Sequence, residues 1–299
     1  MHNKTILLIL SICALAFSQT QYGDMVLPPG AFLWLNPDAR SEAMGGASVT
    51  GGGAGSAGWS NPAAIVDDFS YATGMSYSYL RDKTGYSSLY GTGRLGDWAG
   101  SMRLFLANSN DIEARTGPSE EPDYTFDSHQ LYTQLSAARR IRDIIDLGVS
   151  AKWIHERIDQ ENRDGWVFDF GVVGIYKFVR GGISLSNLGN EVVFEKYRER
   201  YPITYRAGIS SGILDYGSIN IEWIKPDKLD GWVAVGVEGY IGNTLKLRCG
   251  YTPGHDTRNI SAGMGVTKSG FGLDYSLTNY SDGLGLSHQV TLSFAASSK

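Results

Sequence analysis

Residues 165–178 read Gly165-Trp166-Val167-Phe168-Asp169-Phe170-Gly171-Val172-Val173-Gly174-Ile175-Tyr176-Lys177-Phe178, and their alternation decides the fold class. Trp166, Phe168, Phe170, Val172, Tyr176 and Phe178 share one side of an extended chain. Asp169, Gly171 and Lys177 share the other with Val173 and Ile175. Side chains two residues apart share a face only in a β-strand, so this stretch is a strand with one apolar surface and one largely polar surface. The period returns in 98–107, where Trp98, Met102, Leu104 and Leu106 oppose Ser101 and Arg103. In 203–211, Ile203, Tyr205, Ala207 and Ile209 oppose Thr204, Arg206, Gly208 and Ser210; further on, Phe271, Leu273, Tyr275 and Leu277 oppose Gly272, Asp274 and Ser276.

Working outward from these, the pattern predicts fourteen strands: 70–80, 86–95, 98–107, 128–138, 143–155, 165–178, 180–188, 201–213, 215–224, 231–241, 244–251, 258–268, 269–278 and 284–294. Most are near the ~9–11 residues that a tilted strand needs to cross a bilayer. Alternation alone fits a soluble sandwich, apolar face inward, as well as a membrane barrel, apolar face outward. Connection length separates them. The links Gly96-Asp97, 139–142, Val179, Leu214, Gly242-Asn243 and Lys268-Ser269 are short, and those at 81–85, 108–127, 156–164, 189–200, 225–230, 252–257 and 279–283 are longer. Short and long in strict turn is the signature of periplasmic turns and extracellular loops. The last strand alternates Leu286, His288, Val290, Leu292 and Phe294 with polar residues, and Val290, Leu292 and Phe294 resemble the β-signal read by the outer-membrane insertion machinery; Ala295 to Lys299 trail beyond it. The fold expected is all-β, a fourteen-stranded antiparallel transmembrane β-barrel over 70–299.

The chain opens with His2 and Lys4, an apolar run from Ile6 to Phe17, and small Ala16 and Ser18 before Gln19. That is a cleaved signal peptide, 1–18, too short for a helix crossing ~30 Å of hydrocarbon. Leu10 to Cys13 only faintly resembles a lipoprotein box, since Ile12 is a poor residue before the cleavage point. Cleavage leaves Cys249 alone, without an internal disulfide partner. No other stretch reaches 18 apolar residues. An exported chain of this kind is expected in the bacterial outer membrane, in contact with its lipid. A net charge of −5 and the absence of a basic run exclude nucleic acid as a partner.

Ahead of the strands lies a different stretch, with seven glycines from Gly45 to Gly58, then Trp59-Ser60-Asn61-Pro62-Ala63. So much glycine holds one shape only if something surrounds it. We therefore expect 19–69 to be a hatch or plug in the barrel mouth, built on Arg40, Glu42, Met44, Gly45, Gly46, Trp59, Asn61, Pro62 and Ala63. Asn61 suits an N-cap and Pro62 the first position of a short helix. The order of Asp38 to Ala47 and Trp59 to Ala64, continued through Gly181 to Gly189 and Leu284 to His288, resembles the PorV/PorQ family of outer-membrane proteins. These belong to the FadL-type barrels, whose N-terminal segment enters the lumen. The resemblance implies a non-enzymatic accessory barrel of type IX secretion, with secretion-system subunits or secreted cargo as partners. The alternative it carries is FadL-like transport of hydrophobic small molecules, and a third reading is a porin.

Gly53 to Gly58 matches the G-x-G-x-x-G pattern, but Asn61-Pro62 breaks the helix a dinucleotide site needs, so no cofactor is expected. His129, His155, His255 and His288 are scattered without metal-ligand spacing, and no nucleophile elbow appears; metal binding and enzymatic chemistry are not expected. Arg103, Asp146, Lys152, Asp169, Lys177, Arg206, Glu222, Glu238, Lys246, Arg248 and Asp274 fall on the inferred lumenal face. On lipid, Lys or Arg would cost ~2–4 kcal/mol at the midplane. Their mixed signs predict a neutralised network that holds the hatch. The loops 108–127 and 189–200 are the expected contact surfaces.

Overall fold

The computed structural model describes residues 30–53, 58–66, 69–80, 84–114, 117, 121–194, 197–213, 216–281 and 285–297. The leader and the opening of the 19–69 segment lie outside these residues. Fourteen antiparallel strands close into one ring. They are β1 (Phe69–Tyr79), β2 (Thr84–Leu95), β3 (Trp98–Ala114), β4 (Tyr124–Ile141), β5 (Ile145–Ile158), β6 (Glu161–Tyr176), β7 (Val179–Gly189), β10 (Thr204–Gly212), β11 (Gly217–Pro226), β12 (Trp232–Ile241), β13 (Leu245–Tyr251), β14 (Arg258–Lys268), β15 (Phe271–Tyr280) and β16 (Gly285–Ser297). A separate hairpin, β8 (Val192–Phe194) and β9 (Tyr197–Glu199), lies within the long connection between β7 and β10. The β1–β16 pairing closes the ring, leaving neither strand as an open edge.

The apolar face looks outward. Trp166, Phe168, Phe170, Val172 and Tyr176 of β6 are all exposed, while Val167, Asp169 and Val173 between them are buried. The ten-residue step from Trp166 to Tyr176 spans about 25 Å at ~3.3 Å per residue and a tilt of ~40°, the height of the apolar band of a membrane barrel. Aromatic residues mark both edges of that band, with Tyr77, Tyr79 and Trp166 at one and Tyr71, Trp98, Tyr176 and Phe271 at the other.

The walls are unequal. β3 and β4 run for 17 and 18 residues, whereas β13 has seven. Two expected loops are largely ladder. Ile158 pairs with Glu161, so a two-residue turn replaces the 156–164 connection. Ala114 pairs with Tyr124 beyond a register shift at Ser109/Ile112, where Asp111 has φ 52°. A third, 189–200, contains the β8–β9 hairpin. At the opposite rim the turns are tight. Arg142-Asp143 and Ser269-Gly270 place both central residues at positive φ, the geometry that matches strand twist.

Inside the ring runs the N-terminal segment. A 3-10 turn (Ala31–Trp34) leads to helix α1 (Ala39–Ala43), capped by Asp38 Oδ1 accepting from Ser41 N at 3.0 Å. A second 3-10 turn (Pro62–Ile65) is capped by Asn61 Oδ1 accepting from Ala63 N at 3.0 Å. Trp34 Nε1 reaches Thr204 Oγ1 at the long-loop end, and the Val66 carbonyl accepts from Arg140 Nη2 at the short-turn end. The segment therefore traverses the lumen lengthwise.

Candidate functional site

The lumen is layered, because cross-strand pairing brings one inward residue from each strand to a common level. At the level of Phe105, pairing with Tyr132 and then Ile154 builds an apolar layer on the tall wall, joined by Tyr86 and Val167. The Phe105 and Tyr132 rings stack at 4.9 Å and 7°, and Tyr86 stacks on Phe105 at 5.5 Å. Phe32, Leu33 and Trp59 of the inner segment complete the cluster, with Phe32 6.4 Å from Tyr132. Tyr201 closes it from the β9–β10 connection, donating its hydroxyl to Glu156 at 3.0 Å. Burial and the Glu156 carboxylate beside it push the Tyr201 phenol well above its ordinary range.

One step toward the short-turn rim, the wall turns polar. Arg103, Gln134 and Lys152 share a level, and Ser101, Ser136, Ser150 and Asp169 the next. Lys152 Nζ lies 2.9 Å from Asp169, which also accepts from Ser150 Oγ at 2.6 Å and from the Asn187 amide at 2.8 Å. The Asn187 contact sits where the β6–β7 register shifts between Phe168 and Phe170, and a carboxylate there takes the place of a ladder carbonyl. The next level is small: Ala99, Ala138, Gly148 and Gly171. Pro62–Ile65 fits into that groove. A Cβ on Gly171 would overlap Asn61 Oδ1, and one on Gly148 would overlap Ala63 N.

The opposite wall grips the first half of the inner segment through charge. Arg40 lies 3.1 Å from Glu238, which lies 2.6 Å from Arg248, itself 2.6 Å from Asp274. Glu42 pairs with Arg258 at 2.8 Å and accepts from Tyr280 at 3.2 Å. Glu222 accepts the amides of Ser48 and Val49 at 2.6 and 2.8 Å and pairs with Arg206 at 2.8 Å. Arg206 in turn lies 4.6 Å over the Trp59 ring. Met44 packs its carbonyl 2.6 Å from where a Cβ of Gly236 would stand, and Gly45 and Gly46 turn at positive φ beside β13 and Arg258. Asn61 Nδ2 reaches the Val49 and Val172 carbonyls at 2.8 and 3.1 Å, tying the two halves of the segment to each other and to β6.

Nine of the eleven expected lumenal charges therefore fall into contacts with one another or with the lumen wall: Arg103, Asp146, Lys152, Asp169, Arg206, Glu222, Glu238, Arg248 and Asp274. Lys246 is half-buried, 5.8 Å over the Tyr240 ring. Lys177 is a correction. Strand β6 stops at Tyr176, and Lys177 occupies the β6–β7 turn, exposed, with φ 55°. Val290 and Leu292 face outward, and Phe294 packs edge-on to Phe271 at 4.8 Å. The glycine-rich stretches 91–93 and 263–265 keep continuous pairing on both sides. Sequence reasoning missed Arg140, Glu156, Arg163 and Arg258, and above all the aromatic layer. Its one legible signal is Phe105, which shares parity with Ser101 and Arg103. Among the described residues no group of three or more His, Cys, Asp or Glu is placed to hold a metal ion.

No family profile matches the chain, and no curated protein sequence does. Among solved structures, the deltaS2S3 mutant of TodX, a monoaromatic hydrocarbon channel, aligns with a TM-score of 0.63 at 11% identity over 87% of this chain and 99% of its own. The deltaS2 mutant of TodX gives 0.63 and 11% over 88% and 99%. At that identity the likeness establishes the barrel fold.

Proposed function

We propose that this chain is an outer-membrane channel that admits small apolar molecules, in the FadL-like manner. The aromatic layer on the long-loop side of the lumen carries this reading. Tyr86, Phe105, Tyr132, Ile154 and Val167 form an aromatic and aliphatic surface inside the barrel, above levels that are first polar and then small, and Phe32 of the chain itself lies against it. A porin lumen for hydrated solutes gains nothing from such a surface, whereas an apolar solute leaving water does. The TodX likeness supports the same reading. A ligand would displace Phe32 and Leu33, then meet the polar levels below; the carboxylate-bridged interruption between β6 and β7 is the candidate way out through the wall.

The type IX secretion reading rests on the motifs at 38–47 and 59–64, in order with those at 181–189 and 284–288. The residues of the first two are occupied with packing inside the barrel, through Asp38, Arg40, Glu42, Met44, Trp59 and Asn61. Their pattern is accounted for without a partner, which favours transport. The test is titration of the purified barrel with toluene, read by thermal stability. Saturable stabilisation, lost in Phe105→Ser and Tyr132→Ser variants that still fold, is the expected result. No saturable response to toluene or hexane, with secretion subunits co-purifying on pull-down, would replace this reading with the other.

A further inference from the structure

The outer surface of the tall wall carries a second pattern, at its short-turn edge. The Arg139 guanidinium lies 5.1 Å over the ring of Trp98, its directly paired neighbour across β3 and β4. The Lys177 ammonium lies 5.3 Å over Tyr176. Arg142, in the turn between β4 and β5, is exposed in the same sector, and Phe178 beside Lys177 is 68% exposed. Across the ladder Arg139 pairs with Leu147 and Leu147 with Val172, four residues short of Tyr176, so the two cation–ring pairs stand about 16 Å apart, at ~4.8 Å per strand across and ~3.3 Å per residue along. Asp97 and Asp143 share this edge but sit in the turns beyond the rings. The far end of the same strands is acidic, with Asp111, Glu113, Asp127 and Asp164 exposed or half-exposed.

We infer that this sector binds anionic glycerophospholipid in the leaflet at the short-turn rim, one headgroup phosphate at each cation–ring pair. Rings at the membrane interface hold the cations flat at headgroup depth, where their charge meets phosphate, and their stems lie along apolar surface. Below them, outward Met102, Leu147 and Val172 offer a continuous surface for acyl chains. A free phosphate would gain nothing from that surface, and for this reason the occupant is a lipid. The site is on the outer wall and does not depend on what crosses the lumen.

The test uses the full barrel in detergent, titrated with phosphatidylglycerol or with phosphatidylcholine of the same acyl chains. Binding is read by native mass spectrometry and by the shift in Tm. Phosphatidylglycerol is expected to be retained and to raise Tm, and phosphatidylcholine to do neither. Arg139→Gln and Lys177→Gln should each weaken retention at its own pair about fivefold, and the double variant at both pairs. Lys268→Gln, a cation at the same rim on the far side of the ring, should leave it unchanged. Equal retention of both lipids, a wild-type response from the double variant, or a Tm shift with inorganic phosphate alone would overturn the inference.

Discussion

At the scale of single residues, the lumen tolerates little added volume. Gly171 faces Asn61, and a methyl there meets the side chain that caps the second 3-10 turn. Gly171→Ala should cost about 1–3 kcal/mol by overpacking. Because the clash is with the inner segment and the β5–β6 ladder is untouched, the barrel should still form and remain heat-modifiable, while protease cuts at 58–66 faster than in wild type. Equal protection of that stretch would show the segment fitting without this contact. His255 gives the pH-dependent case. Its ring lies edge-on to Trp232 at 4.7 Å, and Nδ1 accepts the Thr257 and Arg258 amides at 3.3 and 3.1 Å. Burial first, and Arg258 second, lower its pKa from 6.5 to about 4. The unfolded chain takes up the proton first, so stability is complete above pH 6.5 and falls as pH drops toward about 4. The whole loss is at most about 3 kcal/mol. Urea midpoints across that range should show the slope, and His255→Gln should flatten it.

At the scale of the strand, lipid is what makes the sequence legible. Where β6 crosses the apolar band, every second residue from Trp166 to Val172 is large and apolar, and the alternation is plain. Above the band the ladder continues, but its outward residues are Asn108, His129 and Asn162. Water no longer asks for grease there, so ladder looks like loop. At the other end the rhythm carries two residues too far, because a lysine at positive φ closes the β6–β7 turn without a glycine to announce it. The inner segment's glycines and cap were visible, whereas their partners on β6, β11 and β12 were not, since nothing in a local pattern pairs Glu222 with Ser48 or Arg40 with Glu238. The lipid-facing assignment has a direct check. A variant retaining Trp166 as its sole tryptophan should be quenched strongly by brominated acyl chains, and one retaining only Trp59, buried in the lumen, should not.

At the scale of the whole molecule, no strand can be spared from a ring. Deleting 285–297 removes β16 and bares β1 and β15 at once. Unpaired backbone groups in hydrocarbon cost several kcal/mol each, so the truncated chain is expected to yield no heat-modifiable barrel, rather than a smaller one. Finding a folded thirteen-stranded form by electrophoretic mobility and circular dichroism would contradict that. The charge pattern has a molecular counterpart too. Arg40, Glu238, Arg248 and Asp274 are paired in one chain of contacts, and removing one partner leaves its buried neighbours uncompensated.

The path of the N-terminal segment, from Trp34 beside Thr204 to Val66 beside Arg140, makes the molecule a bead formed around its own thread. Beyond Val66 the thread becomes β1, one half of the seam that seals the bead. Folding is thus simplest in one order: a seam between β1 and β16 that knits with the thread already lodged spares the chain from drawing that segment through a closed ring.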